Sequence, residues 1–376
     1  MFRFFHRVLI FLLAFAGGAS VFAADIAPFT LTSSRIYALG GPHTAYTHDI
    51  TTLAVNPAAL RGVKKQFNLG EIGIGTHGDI ISLIPLIRSV AGGSFDDFDS
   101  SKIADLTSGS DGKIPLGFEF RGPLSVGYMN NGIGFGFFDR IYFDTRFIGT
   151  ALRLYANADF LLNGGYAYRI VDKGSHVLDA GIVVKAFGRY SFGINGSVLD
   201  MVANSDTLID DSPMDLILGG GFDLGVLYHL GEGFTFGLTG NDVFSMGLIR
   251  HLNGADSGSS EIGYIKPKVN FGAAYSFTPW KFAAFSLMLD YRDVVNIFTN
   301  DYTTRNPILN IGFGAEAQII QFIYARVGVN DMLPAVGIGF DIKVLKIDAA
   351  LYGKELSHEP GGMSTYALDL SLTFSL

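Results

Sequence analysis

The sequence predicts an all-β protein: a transmembrane up-and-down antiparallel β-barrel of about 14 strands, with an N-terminal hatch inside the lumen. Three observations predict it. Charged residues are 16% of the 376, where about 25% is usual, while Gly (48), Phe (33) and Tyr (16) are abundant. Beyond residue 23 no window approaches the ~18 continuous apolar residues of a spanning helix. The third observation is alternation. Tyr366, Leu368, Leu370, Leu372, Phe374 and Leu376 take the even positions of the last segment, and Ala367, Asp369, Ser371, Thr373 and Ser375 the odd ones. The polar face of such segments is largely Gly, Asn, Ser and isolated charges, which suits a crowded lumen behind a lipid-coated wall.

Residues 1–23 read as a signal peptide. Arg3 and Arg7 precede an apolar run, Val8 to Ala16, and Val21-Phe22-Ala23 fits a small-residue cleavage site, so the mature chain is expected to begin at Ala24. Residues 24–65 do not alternate. They hold Gly40, Gly41 and the step Asn56-Pro57-Ala58, a small, mixed composition unlike a disordered tail. Pro57 fixes one φ and removes a donor. This segment is expected to fold back into the lumen as a plug.

Residues 66–376 are the expected outer-membrane barrel. The alternating segments are 66–76, 115–129, 131–146, 151–171, 176–191, 214–230 and 233–244, followed by 266–278, 281–294, 307–319, 321–330, 334–343, 344–353 and 365–376. Most reach the ~9–11 residues that a tilted strand needs to cross. In 214–230, Leu216, Leu218, Phe222 and Leu224 share one face, with Ile217 and Leu227 as exceptions on the other. Turn-rich links such as Asn130-Asn131-Gly132 and Lys173-Gly174-Ser175 alternate with long ones at 77–114, 192–213, 245–265, 295–306 and 354–364. That is the order of short turns on one side of a membrane and loops on the other.

Composition also excludes. Without cysteine there is no disulfide framework, thiolate metal site or lipidated N-terminal Cys. The net charge of −8 carries no basic stripe, so no nucleic-acid partner is expected. G-x-S-x-G and H-E-x-x-H are absent, and the Gly runs at 132–136 and 219–221 lie in strand patterns. His43 and His48 read as hydrogen-bonding residues. No enzyme activity, cofactor or metal is expected, and the barrel is expected to be a monomer.

The run ALGGPHTAYTHDITTLAVNPAAL, 38–60, resembles the hatch of FadL-type outer-membrane transporters for long-chain fatty acids and other hydrophobic compounds. The match is sharp over the hatch and elsewhere rests on strand number and texture. The resemblance implies a fourteen-stranded barrel in the outer membrane of a diderm bacterium, occluded by a hatch with Asn56-Pro57-Ala58 as its motif. It implies passive uptake of a long-chain fatty acid or other hydrophobic ligand, with outer-membrane lipid around the wall. It also implies a hydrophobic capture groove in the external loops, for which Ile80, Ile81, Leu83, Ile84, Leu86 and Ile87 of the 77–114 loop are the candidates. In that family a lateral exit accompanies a kink in strand three. Here 132–143 has no proline, and Asp139, on the parity of Phe135 and Phe137, is a candidate register change; the route stays open.

Charges in spanning segments are costly on the lipid side, so they are expected to face the lumen and pair. Glu316 and Arg326 flank a short turn on matching parity and are expected to pair across it. Arg153, Arg189 and Arg326 are candidates for binding a ligand carboxylate, for which Arg is suited. The alternative function is a docking, shuttle or adhesion barrel that acts through its long loops.

Overall fold

The structure, a computed structural model, describes residues 24–78, 113–148, 151–197, 212–254, 256–297 and 305–376. The expected signal peptide and the capture residues Ile80, Ile81, Leu83, Ile84, Leu86 and Ile87 lie outside them. The described strands are β1 (Ala24–Asp25), β2 (Gln66–Gly78), β3 (Lys113–Arg121), β4 (Val126–Asn130), β5 (Ile133–Ile148), β6 (Ala151–Lys173), β7 (His176–Ser197), β8 (Met214–Leu230) and β9 (Phe234–Asn253). They continue as β10 (Ser260–Tyr264), β11 (Lys268–Trp280), β12 (Ala283–Tyr291), β13 (Ile311–Ile319), β14 (Ile323–Asn330), β15 (Leu333–Asp341), β16 (Leu345–Glu355) and β17 (Ser364–Ser375).

All are in one sheet that closes on itself: β17 pairs with β2, and β9 with both β10 and β11. Neighbouring wall strands are antiparallel throughout, and only β1 pairs in parallel, on β10. β3 and β4 both lie between β2 and β5, and β10 and β11 both lie on β9, so each pair is one interrupted strand. Counted so, the wall has the expected fourteen strands. Closure removes the open edge that lipid does not tolerate.

Side-chain parity explains why these residues form a wall. Leu368, Leu370, Leu372 and Phe374 of β17 lie on the outer face, Leu370 being 51% exposed, whereas Asp369 on the inner face is 0% exposed. The outer surface is thus a continuous apolar band that meets lipid, and the inner residues are polar or small except where they pack on the N-terminal residues, as Met129, Phe138, Leu161 and Val183 do. Ile217 and Leu227, the two exceptions in β8, are both buried. Ile217 packs in a cluster with Ile26 and Phe29, and Leu227 with Ala58 and Ala59, so the parity breaks are where the wall receives the N-terminal residues.

The short turns gather at one end of the barrel and the longer connections at the other, here the turn end and the loop end. β6 and β7 run for 23 and 22 residues, against 9, 8 and 9 in β13, β14 and β15, so the wall rises on one side of the loop end. Two expectations change. The expected loop 245–265 is mostly strand: β9 continues to Asn253, and β10 folds back on it from Ser260 opposite Arg250 to Tyr264 opposite Met246. The expected strand 115–129 is broken at 122–125.

Candidate functional site: the lumen and its N-terminal segment

Residues 24–63 run through the inside of the wall. Its first described residues lie at the loop end, where Ile26 N donates to Tyr264 O at 2.8 Å. An extended arm then leads to helix α1 (Ser34–Ala38), whose N-cap Ser33 Oγ accepts from Ile36 N at 3.2 Å. Gly40 and Gly41 follow with φ of +79° and +113°. A Cβ on Gly40 would stand 2.5 Å from Val329 O and 2.6 Å from Phe313 O, so this pair both turns the chain and lets backbone lie on backbone.

Helix α2 (Thr52–Val55) and a 3₁₀ turn (Pro57–Gly62) complete the segment. Asn56, fully buried, is the joint between them. Its Oδ1 accepts from Ala58 N at 3.0 Å, and its Nδ2 donates to Thr44 O at 2.8 Å and to Val226 O at 3.4 Å. Pro57, at the first helical position, has no N–H to leave unpaired. The wall is cut away to receive this step: a Cβ on Gly181 would lie 2.5 Å from the Pro57 carbonyl, and one on Gly225 2.1 Å from Asn56 Oδ1.

Charged ties fix the segment further. Arg35 reaches Glu316 Oε2 (3.3 Å) and Asp49 Oδ2 (3.2 Å), and Tyr46 OH donates to Glu316 Oε1 at 2.7 Å. Burial pushes the Asp49 carboxyl up, but the Arg35 guanidinium and the Thr51 hydroxyl outweigh it and hold the group below the usual carboxylate range. His43 Nδ1 lies 2.6 Å from Asp290 Oδ2, whose other oxygen accepts from Thr44 N at 2.6 Å. Ser34 Oγ donates to Asp369 Oδ1 at 2.5 Å, and Arg121 also binds Asp369 and Glu119, each at 2.7 Å.

Of the residues singled out from the sequence, Glu316 and Arg326 stand directly opposite each other in β13 and β14, Nε to Oε2 at 2.6 Å, and Arg326 also bonds Asp348. Arg189 is buried against Asp159 (2.6 Å), donates to Ala27 O at 3.0 Å and covers the Phe29 ring at 4.1 Å, so it binds the arm to the wall. Arg153 is brought to neither of these clusters; it is exposed, opposite Arg146 and Asn195. The arm partners of Arg189 and the α1 partner of Glu316 carry no sequence signal, because nothing in residues 24–38 indicates which strand they meet.

Two cavities lie on opposite sides of the segment. One of about 540 Å³, towards the loop end, is lined in part by Phe29, Leu31, Ile36, Val55 and Leu161 and otherwise mostly by polar residues, charged ones such as Lys185, Asp223, Lys268 and Arg292 among them. The other, about 160 Å³ towards the turn end, is polar and bordered by Arg35, Asp49, Glu316 and Arg326. A third space of about 30 Å³ lies against the arm residues Phe29–Thr32, which also line the first.

That small space reaches Ser125 and Asp139, where the wall is interrupted. The β3–β5 ladder ends at Arg121 opposite Arg140, and the β4–β5 ladder resumes at Val126 opposite Phe137. On the other side, β2 is paired at Asn68 and again at Gly73, but not between. Pro123 has no N–H to give. One backbone bond, Gly122 N to Asp139 O at 3.2 Å, crosses the break. Asp139 marks no register change, for β5 and β6 pair without a shift from end to end. The irregularity is in the preceding strand.

No family model matches the chain, and no curated protein is similar to it in sequence. Among solved structures it is similar to a deletion mutant of the TodX monoaromatic hydrocarbon channel, at 11% identity over 92% of this chain and 98% of that one, with a TM-score of 0.49. It is similar to the Pseudomonas putida toluene transporter TodX, at 12% identity over 93% and 99% of the chains, TM-score 0.45. It is similar also to a Pseudomonas aeruginosa FadL homologue, at 13% over 94% and 98%, TM-score 0.45.

Proposed function

We propose that this barrel carries small hydrophobic molecules passively across an outer membrane, with its loop end outside, no catalytic step, and residues 24–65 as the hatch. The observation that carries the reading is the 540 Å³ cavity: Phe29, Leu31, Ile36, Val55 and Leu161 form an apolar part of its otherwise polar lining, the N-terminal segment lies beneath it, and it shares residues Phe29–Thr32 with the space behind the wall break. Apolar cargo gains about 0.8 kcal/mol per buried CH₂, so such a site holds what an aqueous pore would not. The break at 122–125 offers a sideways route into lipid that avoids water, opened by displacement of the arm. Long-chain fatty acids are one cargo class that the 38–60 resemblance implies; toluene is what the similar TodX carries by its description.

The test is organic extraction of the folded, detergent-purified barrel and mass spectrometry of what is released, beside an Asn56→Ala/Pro57→Ala variant. Discrete hydrophobic molecules in stoichiometric amount, with a load that changes in the variant, are expected. Detergent and bulk lipid alone in both proteins would defeat the reading and return the docking alternative.

A further inference from the structure

Asp139 is out of place. In β5 Phe135, Ile141 and Phe143, which share its parity, are exposed on the outer, lipid-facing side, Phe137 beside it is half-buried, and the inner positions are the even ones. Its partner across the ladder, Phe160, is exposed on the same face. A carboxylate there is costly unless something answers it. Among the described residues no Lys, Arg or His nitrogen comes within 4.0 Å of it. What answers it is the break: Ser125 Oγ donates to its Oδ1 at 3.2 Å and accepts from its N–H at 3.4 Å. Ser125 thus supplies by side chain what the ladder does not supply here.

An asparagine oxygen would accept that bond without a charge. The charge therefore needs another reason, and its surroundings provide one. The groups behind the break are carboxyls in excess: Glu71, Glu119, Asp159 and Asp369 beside Asp139, against the guanidiniums of Arg121, Arg140 and Arg189. Arg121 is shared by three of them, and Arg140 and Arg189 are both on Asp159. Each of these guanidiniums already holds a carboxylate, and Arg140 and Arg189 also donate to the arm, at Thr30 Oγ1 (3.2 Å) and Ala27 O (3.0 Å). The one Arg140 nitrogen without a partner, Nε, is itself buried.

We propose that Asp139 makes the wall break selective for uncharged cargo, so that neutral hydrophobic molecules pass and their anionic counterparts are turned back. This rests on the sideways route proposed above and narrows its substrate class from hydrophobic molecules in general to neutral ones. A like charge within several ångströms in a low-dielectric wall is strongly repelled, whereas an alcohol or hydrocarbon brings no charge for Asp139 to repel.

The experiment reconstitutes the full barrel into vesicles with a lipopolysaccharide outer leaflet and follows uptake of decan-1-ol and decane-1-sulfonate, which differ in charge at every working pH. Wild-type protein is expected to pass the alcohol above the protein-free rate and the sulfonate at least roughly tenfold more slowly. Asp139→Asn, which keeps the acceptor for Ser125, is expected to raise sulfonate uptake about tenfold and leave the alcohol within about twofold. A purely structural role would move both probes together. Equal wild-type uptake of the two, or an unchanged ratio in Asp139→Asn, overturns this inference and leaves the transport reading standing. No protein-dependent uptake of either probe removes both. Should Asp139→Asn fail to fold, Asp139→Thr, with a hydroxyl for Ser125, takes its place, and the wild-type ratio is decisive by itself.

Discussion

Asn56→Ala should loosen the N-terminal segment without unfolding the barrel. The substitution removes three bonds: the cap on Ala58 N (3.0 Å), the donation to Thr44 O (2.8 Å) and the longer one to Val226 O (3.4 Å). A lost cap costs about 1 kcal/mol. Leaving the buried Thr44 carbonyl unanswered costs about 1–3 kcal/mol more, and the long bond to Val226 adds little. The sum is about 3 kcal/mol, a factor of about 100 in the local opening equilibrium. Hydrogen exchange reads it directly. The Ala59 amide, bonded to Asn56 O, and the Gly132 amide, bonded to Leu60 O, should exchange about 100-fold faster, while amides in the middle of β16 and β17 keep their rates. Asn56→Asp is the control: it keeps the cap on Ala58 but aims a carboxylate oxygen at two carbonyls, and should loosen the segment at least as much. Unchanged protection at Ala59 and Gly132 in Asn56→Ala would refute the assignment of Asn56 as the joint.

Three further outcomes are expected. Gly181→Ala, with its Cβ 2.5 Å from Pro57 backbone, should release the same amides through overpacking worth about 1–3 kcal/mol although Asn56 is intact; unaltered exchange would mean that the Pro57 step does not press on β7. Arg326→Met leaves Glu316 to Arg35 and Tyr46 but takes the guanidinium from Asp348, and should destabilise the protein by about 1–3 kcal/mol in urea, with partial recovery in Asp348→Asn/Arg326→Met; a midpoint that does not move would show the cluster to be well hydrated. Asp49 has its pKa held down in the folded protein, so its tie to Arg35 stabilises above the ordinary carboxylate pKa of about 4 and is lost as pH falls below it. Proteolysis of residues 24–63 should therefore quicken below about pH 4 in wild type, and less steeply in Asp49→Asn, with equal acid profiles counting against the tie.

The strands were legible because lipid outside and a packed lumen inside impose opposite demands on successive residues, and Tyr366–Phe374 obeys them without exception. Where the lumen is filled by another part of the chain the rule relaxes, which is why Ile217 and Leu227 read as errors in β8 and are contacts with the N-terminal residues. The break at 122–125 did carry a signal. Pro123 in what reads as a continuous strand is a misfit for a wall paired on both sides, and Asp139 is its echo on the neighbouring strand. Read singly, each is a local oddity; only the register brings Ser125 and Asp139 together. β10 gave no signal for a different reason: its five residues Ser260–Tyr264 are too few to show a period and are polar at one end.

The N-terminal segment was recognisable by texture but not by place, and the packing says why. It has no core of its own. Leu53 and Leu60, both 0% exposed, bury themselves in hollows of the wall at Gly134 and Gly165, where a Cβ would come within 2.7 Å of a Leu60 methyl. Their cluster is completed by Met129, Phe138, Leu161 and Val183, all inward residues of the barrel. A segment whose apolar residues find partners only across the lumen cannot reveal its docking site in its own sequence, since half of each contact is a missing side chain on a distant strand. The same fact limits how the segment can move. Because wall and segment share one core, a shift that opens a route cannot be a swing of residues 24–63 as a body, which would strip Phe138, Leu161 and Val183 of their cover. The arm is held at its start by Ile26 and Phe29, which pack with Phe187 and Ile217, whereas its later residues Thr30 and Thr32 are tied to the wall by hydrogen bonds to Arg140 and Glu119 and are the part whose contacts can be exchanged. They are also the part that lies between the large cavity and the break.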